Sequence, residues 1–323
     1  MIGAVVALAA LMAALSPGVA EESRAPGYAH PEMLVETAWL DENIIRPEIL
    51  IVDLRSPALF GFGHIPGAFS LDEGRLFKKT GSYLSLLPPD EFKAVMESVG
   101  IGEGVHVVAV DDSMGRSAAR LWWVLGYYGF DNVSLLNGGF ERWSAEGRAS
   151  TTEEAFHRTA VFTPRPRPER AASAEQVRDW KKNNPRGIVV DVRSTTTFAG
   201  TQSRGKRSGH IPGAVNLPWD ALLTIHDDLS LFKPAGEILA VLKKAGITRE
   251  TSVAAYCFDG KRASQLLFSM ALVGISGANY VGAWPEWSSR NELPVESEAA
   301  KSKPAPPPGK QNPHKPGTTP PKP

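Results

Sequence analysis

The feature that most constrains the fold is an internal duplication: four short motifs recur in the same order, about 140 residues apart. The pairs are Val-Asp-Leu-Arg at 52–55 with Val-Asp-Val-Arg at 190–193, Gly-His-Ile-Pro-Gly-Ala at 63–68 and again at 209–214, Gly115 with Gly260, and Asn-Gly-Gly-Phe-Glu-Arg-Trp at 137–143 with Tyr-Val-Gly-Ala-Trp-Pro-Glu-Trp at 280–287. Two long copies are typical of a duplicated domain and not of a solenoid. The sequence therefore predicts two domains of one fold.

Within each copy, short β-branched runs alternate with helical patterns. The runs at 49–54, 105–110, 188–192 and 252–255 are typical of buried parallel strands. The helical patterns at 90–99 and 235–245 end at Gly100 and Gly246, and Ser173 with Gln176 has the spacing of a capping box. This alternation predicts an α/β fold: two tandem domains, each a parallel sheet flanked by helices.

The segments outside the two copies complete the predicted organisation. An apolar run at 2–15 followed by small residues predicts a signal peptide at 1–20, cleaved after Ala20, and hence a periplasmic or secreted protein without a membrane span after cleavage. We expect an N-terminal domain at 31–148, a Pro-containing linker at 149–172 and a C-terminal domain at 173–297. The Pro/Lys-rich tail at 298–323 is predicted to be disordered.

Composition excludes several classes of function. Lys plus Arg equals Asp plus Glu at 35 each, so no overall charge favours a nucleic-acid partner. The one cysteine, Cys257, can form neither an intramolecular disulfide nor a dithiol redox pair, and it cannot build a thiolate metal site alone. If Cys257 has a function, that function depends on a thiol.

The surroundings of Cys257 favour such a function. An apolar run ends at Cys257, a short loop containing Gly260 follows, and a helix is predicted to begin near Ala263. A strand, a tight loop and a helix start bring backbone N–H groups and the helix dipole together, which favours a bound anion. We therefore expect a lowered pKa for the Cys257 thiol, with Lys261 and Arg262 acting in the same direction. Asp259 is expected to oppose a thiolate and an anionic donor unless Lys261 or Arg262 neutralises its charge.

Together these motifs resemble the tandem-domain rhodanese and mercaptopyruvate sulfurtransferase family over nearly the whole chain after the apolar run. The resemblance implies that Cys257 is the nucleophile and carries sulfur as a persulfide, without a metal or organic cofactor. It also implies that a loop stabilises the anionic sulfur with its N–H groups, namely Phe258, Asp259, Gly260, Lys261 and Arg262. The N-terminal copy is expected to be inactive, and aligning Gly115 with Gly260 places Asp112 opposite Cys257.

The resemblance also implies the substrates: a small sulfur donor, thiosulfate first and 3-mercaptopyruvate second, and cyanide or a thiol as acceptor, a protein thiol included. The loop departs from both donor classes, which resemble Cys-Arg-Lys-Gly and Cys-Gly-Ser-Gly, because Phe258 and Asp259 stand at these positions. An arginine typical of the family is also replaced at Thr197. Arg204 is our first choice for the missing donor-binding charge, with Arg193 as a second candidate and Lys206 and Arg207 nearby.

Two other functions remain open. One is a non-enzymatic periplasmic binding or relay module that receives persulfide sulfur from a partner without turning over small donors. The other is a cysteine phosphatase, which is disfavoured because Arg262 follows Cys257 after four residues and not the five that such enzymes need. The histidines His64 and His210 are predicted to hold backbone, and the Asp-x-Arg pairs at 53–55 and 191–193 to form structural ion pairs.

Overall fold

The computed structural model describes residues 27–155, 159–203, 205–226 and 229–298. The predicted signal peptide, Arg204 and the predicted tail beyond residue 298 lie outside these ranges. Within the described ranges, no helix combines the length and apolar character that a membrane span requires.

From residue 27 onward, the described part of the N-terminal half forms seven strands and five α-helices. The strands are β1 (Leu34–Val35), β2 (Ile49–Asp53), β3 (Phe69–Ser70), β4 (Phe77–Thr80), β5 (Tyr83–Leu86), β6 (His106–Val110) and β7 (Val133–Leu136). The helices are α1 (Thr37–Asn43), α2 (Pro57–Phe62), α3 (Pro89–Ser98), α4 (Arg116–Tyr127) and α5 (Gly139–Ala145), with 3-10 turns at Pro31–Met33 and Glu73–Leu76.

The C-terminal half repeats this order. Its strands are β8 (Ala171–Ala172), β9 (Gly187–Asp191), β10 (Val215–Asn216), β11 (Leu223–His226), β12 (Leu229–Phe232), β13 (Ser252–Tyr256) and β14 (Ala278–Tyr280). Its helices are α6 (Ala174–Arg178), α7 (Trp180–Asn183), α8 (Thr195–Ala199), α9 (Ala235–Lys244), α10 (Lys261–Leu272) and α11 (Ala283–Ser289), with 3-10 turns at Pro168–Arg170 and Trp219–Leu222.

Each half builds one parallel sheet of five strands among the described residues, in the order β1-β7-β6-β2-β3 and β10-β9-β13-β14-β8. The predicted fold class, two α/β domains with flanked parallel sheets, is confirmed. Strand β8 lies inside the segment predicted as linker, so the second sheet begins two residues before the predicted start of its domain at residue 173. The antiparallel hairpins β4-β5 and β11-β12 had no clear sequence signal.

Strand register brings the motifs together. Asp53 at the end of β2 pairs with Val110 at the end of β6, and Asp191 at the end of β9 pairs with Tyr256 at the end of β13. The carboxyl ends of the central strands therefore meet at one edge of each sheet, where parallel α/β proteins place their ligands.

Helices α4 and α10 join the two domains. They pack against each other, with Trp122 edge-on to Phe268 at a centroid distance of 5.2 Å. One cluster of buried apolar residues includes residues of both halves, while each half has a second cluster of its own. Each of the two helices begins at the loop that follows a central strand, so this contact places the two loops near the domain interface.

Candidate active site

Cys257 directly follows the last residue of β13 and precedes a loop of three residues before α10. Gly260 turns the chain into the helix with φ of 89°, a left-handed conformation that side chains with a Cβ adopt only with strain. The loop therefore needs a glycine at this position. The predicted strand, loop and helix are present, with the helix starting at Lys261, two residues earlier than expected.

The sulfur of Cys257 is fully buried beneath its loop. The N–H of Gly260 donates to Sγ at 3.0 Å, as the anion-holding loop predicts. The thiol itself donates to Asp259 Oδ1 at 3.6 Å, and the N–H of Lys261 donates to that carboxylate at 3.1 Å and not to the sulfur. Part of the predicted N–H cradle is thus taken up by a carboxylate of the loop itself.

The expected lowering of the Cys257 pKa is wrong. Burial raises the pKa of the thiol, because the thiolate loses its hydration, and the negative charge of Asp259 raises it further. The N–H groups of Ala263, Asp259 and Gly260 oppose this rise without overcoming it. Burial and Asp259 therefore favour the thiol over the thiolate.

The second Asp-x-Arg motif forms a buried ion pair beside the loop. Arg193 donates from Nη2 to Asp191 Oδ2 at 2.6 Å and to the carbonyl of Gly209 at 2.7 Å. The hydroxyl of Tyr256 donates to the same Asp191 oxygen at 2.6 Å. Arg193 Nη1 is buried and has no hydrogen-bond partner among the described residues, so the guanidinium keeps one donor atom unused.

A cleft of about 510 Å³ lies beside this arginine. Its lining combines residues of the Asp-x-Arg segment, the 3-10 turn and the Cys257 loop: Arg193, Ser194, Thr197, Gln202, Ser203, Trp219, Phe258 and Arg262. The Trp219 ring lies between two guanidinium groups, that of Arg116 at 4.8 Å and that of Arg262 at 5.9 Å. This side of the loop therefore presents cations and an aromatic wall, which suits a small anion.

Two other cations, Arg204 and Arg207, were also candidates for binding the donor. Arg204 lies outside the described residues, and its role stays a prediction. Arg207 donates to the carbonyls of Ser288, Leu293, Trp287 and Arg290, which ties the chain after α11 to the domain. Its guanidinium is therefore used for structure.

The N-terminal domain contributes charges that sequence reasoning missed. Lys261 Nζ binds Glu73 Oε2 at 2.6 Å across the domain interface, and Glu73 Oε1 lies 3.4 Å from Arg120 Nη1. Arg120 is buried over the ring of Phe77 at 3.9 Å, and its positive charge acts on Asp259 and Cys257. A charged residue within an apolar helix was the only signal for Arg120, and nothing in the sequence pairs Glu73 with Lys261.

Glu73, Arg120 and Lys261 line a second cleft of about 390 Å³ on the other side of the Cys257 loop. The Cys257 loop thus stands between two clefts, one lined mainly by C-terminal residues and one lined mainly by N-terminal residues.

The corresponding loop of the N-terminal domain carries its own anion. Val110 and Tyr256 occupy the same register position, so Asp111, and not the predicted Asp112, stands where the other domain has Cys257. The alignment on Gly115 misplaced it because this loop is one residue longer. The Asp111 carboxylate accepts from the N–H groups of Gly115, Ser117 and Ala118 at 2.8–3.1 Å. The anion site of this domain is filled by its own side chain.

The two motif histidines lie away from both clefts. His64 stacks on Phe60 and its ring nitrogens contact the carbonyls of Phe60 and Glu153. His210 stacks on Phe198, contacts the Phe198 carbonyl at 2.8 Å and lies 3.5 Å from a Glu296 oxygen. Both histidines hold backbone, as predicted. Among the described residues, no group of three or more His, Cys, Asp or Glu side chains is placed to hold a metal ion.

Comparison with known proteins agrees with this architecture. Residues 36–146 and 173–290 each match the rhodanese-like domain. The chain is 33% identical over 286 residues to the sulfur carrier protein TtuD of Thermus thermophilus, covering 83% of this chain and 98% of the relative. It is 32% identical over 279 residues to the 3-mercaptopyruvate sulfurtransferase of Escherichia coli, covering 80% and 95% of the two chains. A thiosulfate sulfurtransferase of Corynebacterium glutamicum is 30% identical over 285 residues, covering 84% and 92%.

Among solved structures, the E. coli 3-mercaptopyruvate sulfotransferase SseA superposes with a TM-score of 0.69 at 27% identity, covering 78% of this chain and 98% of that one. The anaerobic ergothioneine biosynthesis enzyme of Chlorobium limicola gives a TM-score of 0.73 at 25% identity, covering 84% and 71%. With two matched domains and relatives aligned over most of its length, the chain belongs to the tandem-domain rhodanese-like sulfurtransferase family.

Proposed function

We propose that the protein moves sulfane sulfur from a small donor to cyanide or a thiol through a persulfide on Cys257. The observation that carries this proposal is the position of the sulfur: it lies at the carboxyl end of a parallel sheet and accepts the N–H of Gly260 at 3.0 Å. The same loop geometry that holds a thiol sulfur can hold the inner sulfur of a persulfide. Cys257 is also the only cysteine of the chain, so no other residue can carry sulfur in this way.

The first choice of donor is thiosulfate, and 3-mercaptopyruvate is the second. Thiosulfate is a dianion, and the cleft beside the loop is lined by Arg262 and by Arg193, whose buried Nη1 has no hydrogen-bond partner among the described residues. Both kinds of donor enzyme occur among the relatives, so their names support the reaction and do not decide between the donors. Phe258 lines this cleft, whereas Asp259 contacts the thiol and lines the other cleft.

Arg204 is a further proposed ligand of the donor anion. It follows Gln202 and Ser203, which line the same cleft, so a short segment connects it to the site. An Arg204→Ala variant is expected to raise KM for thiosulfate, and an unchanged KM would remove Arg204 from the site.

A sulfur relay is the alternative function. The relative TtuD is named a sulfur carrier protein, which supports a role in carrying sulfur. The raised pKa of the buried Cys257 thiol favours this alternative, because a protonated thiol reacts slowly with free small donors unless a base assists it. A physiological acceptor that is itself a protein thiol fits both functions.

Thiocyanate formation from cyanide tests the proposal. The protein without residues 1–20 is assayed with thiosulfate and with 3-mercaptopyruvate, beside a Cys257→Ser variant. Turnover that disappears in the variant supports the sulfurtransferase reaction, and the ratio of kcat/KM values identifies the preferred donor. If neither donor is turned over but Cys257 accepts sulfur from a persulfide-bearing protein, the relay function replaces the proposed one.

The proposed location is the periplasm or the outside of the cell. The apolar run at 2–15 and the small residues before Glu21 support export. Expression of the full chain in a bacterium, followed by fractionation and mass measurement, is expected to give an exported protein that begins at Glu21. Retention of the full mass in the cytoplasm would contradict it.

A further inference from the structure

Asp259 is the hydrogen-bond acceptor that the structure gives to the Cys257 thiol within the described residues. Its Oδ1 lies 3.6 Å from Sγ, which is within reach of an S–H donor. The N–H of Lys261 donates to the same oxygen at 3.1 Å, which holds that oxygen near the sulfur. The sulfur accepts the N–H of Gly260 at 3.0 Å, and its own hydrogen-bond donation goes to Asp259.

The charges around this contact leave the carboxylate without a salt bridge. Lys261, the nearest cation in sequence, extends its ammonium to Glu73 at 2.6 Å. Arg262 lies over Trp219. Arg120 comes from the other domain, acts on Asp259 through its charge and has its closest carboxylate contact with Glu73. In the described part of the chain no cation forms an ion pair with Asp259, so its oxygen is available to a proton.

We propose that Asp259 is a catalytic base that takes the thiol proton of Cys257 as its sulfur attacks the donor, and returns that proton when the acceptor has removed the sulfur. This role rests on the proposed sulfurtransferase function. It gives a chemical purpose to a side chain that otherwise opposes an anionic sulfur at the centre of the loop.

The step balances with thiosulfate as the donor. A bond forms between Cys257 Sγ and the outer sulfur of thiosulfate, the sulfur–sulfur bond of thiosulfate breaks, and sulfite leaves with that electron pair. The products are an anionic persulfide, sulfite and protonated Asp259. Cyanide then attacks the outer sulfur, thiocyanate leaves, and the Cys257 thiolate recovers its proton from Asp259.

Burial explains why a base is needed here. Because desolvation and Asp259 itself both raise the pKa of the Cys257 thiol, little thiolate exists at neutral pH. A base in hydrogen-bond contact removes the proton only as the new bond forms, and such catalysis contributes about 10²–10⁴-fold to a rate. The side chain that disfavours a free thiolate thus assists the reacting thiol.

An Asp259→Asn variant separates this role from simple charge repulsion, because asparagine keeps the shape and an acceptor oxygen but takes no proton. Asp112→Asn is the matched control: it makes the same change in the N-terminal loop, on an exposed side chain. An Asp259→Ser variant repeats the test with a smaller residue if the amide disturbs the loop. The two measurements are the pH dependence of alkylation by iodoacetamide and the single-turnover rate of persulfide formation from thiosulfate. Cys257 is the only cysteine, so both report on one thiol.

The expected result is a split between the two measurements. In Asp259→Asn the thiol pKa falls, because a negative charge beside the sulfur is gone, yet persulfide formation at neutral pH slows by about tenfold or more. Its rate then rises with pH as thiolate forms, whereas the wild-type rate is flat over the same range. The Asp112→Asn control matches the wild type in both.

Two results would overturn the proposal. An unchanged thiol pKa in Asp259→Asn means that the carboxylate does not face the sulfur in solution. A persulfide rate that equals or exceeds the wild-type rate means that Asp259 only repels the anion. If the wild type itself forms no persulfide from either donor, the proposed sulfurtransferase function fails, and the alkylation measurement still decides whether Asp259 faces the thiol.

Discussion

Arg120 and Gln265 are the fifth residues of the two equally long helices α4 and α10, and each reaches into the loop of the opposite domain. Gln265 Nε2 donates to the carbonyl of Met114 in the N-terminal loop. Arg120 Nη2 lies 3.9 Å from the place where a Cβ on Gly260 would stand, in the Cys257 loop. Each of the two helices therefore sends a polar side chain toward the loop of the opposite domain, and the N-terminal domain places Arg120 beside the loop that holds the cysteine.

Arg120→Met is expected to lower the free energy of unfolding and to make the Cys257 thiol less reactive. Removing Arg120 is expected to cost about 1–3 kcal/mol of unfolding free energy, because Glu73 loses one charged partner and keeps Lys261 at 2.6 Å. The thiol pKa of Cys257 is expected to rise further, because the positive charge of Arg120 acts on it. Urea unfolding and alkylation against pH measure the two effects.

The double variant Glu73→Gln with Arg120→Met serves as the control for the buried charge. It is expected to recover part of the lost stability without recovering the thiol pKa. Equal unfolding midpoints for the wild type and Arg120→Met would show that the buried pair contributes nothing.

Gly260→Ala is expected to destabilise the protein by about 1–2 kcal/mol, because an L-residue with a Cβ is strained in the left-handed region. A clash is not the cause, since the nearest atoms to the added methyl group lie at 3.9 Å. Persulfide formation is also expected to slow, because the Gly260 N–H that holds the sulfur shifts with the strained backbone.

Gly236→Ala is the matched control for Gly260→Ala. Gly236 lies in α9, where an added Cβ meets nothing within 4 Å, so alanine is expected to stabilise this helix by up to about 1 kcal/mol. Urea midpoints that move in the same direction for both variants would contradict the assignment of strain to Gly260.

Arg193→Lys tests the proposed donor site, and Arg55→Lys in the N-terminal domain is its matched control. Arg55 makes the same contacts in the N-terminal domain, to Asp53 and to the Gly63 carbonyl. Because lysine cannot make the paired contacts, both variants are expected to lose about 1–3 kcal/mol of unfolding free energy. Arg193→Lys alone is expected to raise KM for thiosulfate about tenfold to a hundredfold, the value of one charged hydrogen bond. If Arg55→Lys raises KM as much, the effect belongs to the ion pair and not to the donor.

The Cys257 thiol is expected to make stability depend on alkaline pH. Its pKa in the folded chain lies above the ordinary value, so the folded state keeps the proton while the unfolded chain releases it from about pH 8.5 upward. The stabilisation of the folded state by the protonated thiol is complete below the pKa of the unfolded chain, and it is lost as the pH rises through the pKa of the folded chain. Urea midpoints of the wild type are expected to fall more between neutral and alkaline pH than those of Cys257→Ser. Parallel curves would show that the thiol pKa is not raised by folding.

Much of the fold could be predicted because it depends on local patterns repeated in the chain. The strands β2, β6, β9 and β13 lie within about one residue of their predicted bounds, since β-branched runs between turn residues are typical of buried parallel strands. The capping box at Ser173 and Gln176 is present, and Gly100 and Gly246 have the positive φ expected of helix ends. The duplication predicted that these elements occur twice, and the two sheets agree with it.

The candidate site was predictable only in part. The loop from Cys257 to Arg262 follows from its motif, whereas Glu73 and Arg120 reach it from residues far away in sequence. Alignment on Gly115 placed Asp112 opposite Cys257, whereas strand register places Asp111 there, because the N-terminal loop is one residue longer. Arg207 was a candidate for donor binding because it lies close to Arg204 in sequence. Its hydrogen bonds to four backbone carbonyls show that it stabilises the fold instead.

The sequence by itself determined the duplicated α/β fold, the family and the one cysteine able to carry sulfur, because each of these depends on local pattern and residue identity. Only the tertiary structure decided the direction in which the pKa of that cysteine shifts. A loop and a helix start predict a lowered pKa, whereas packing removed water from the sulfur and turned Asp259 toward it. Desolvation and the direction of a side chain are properties of the packed molecule, so they are not visible in the order of its residues.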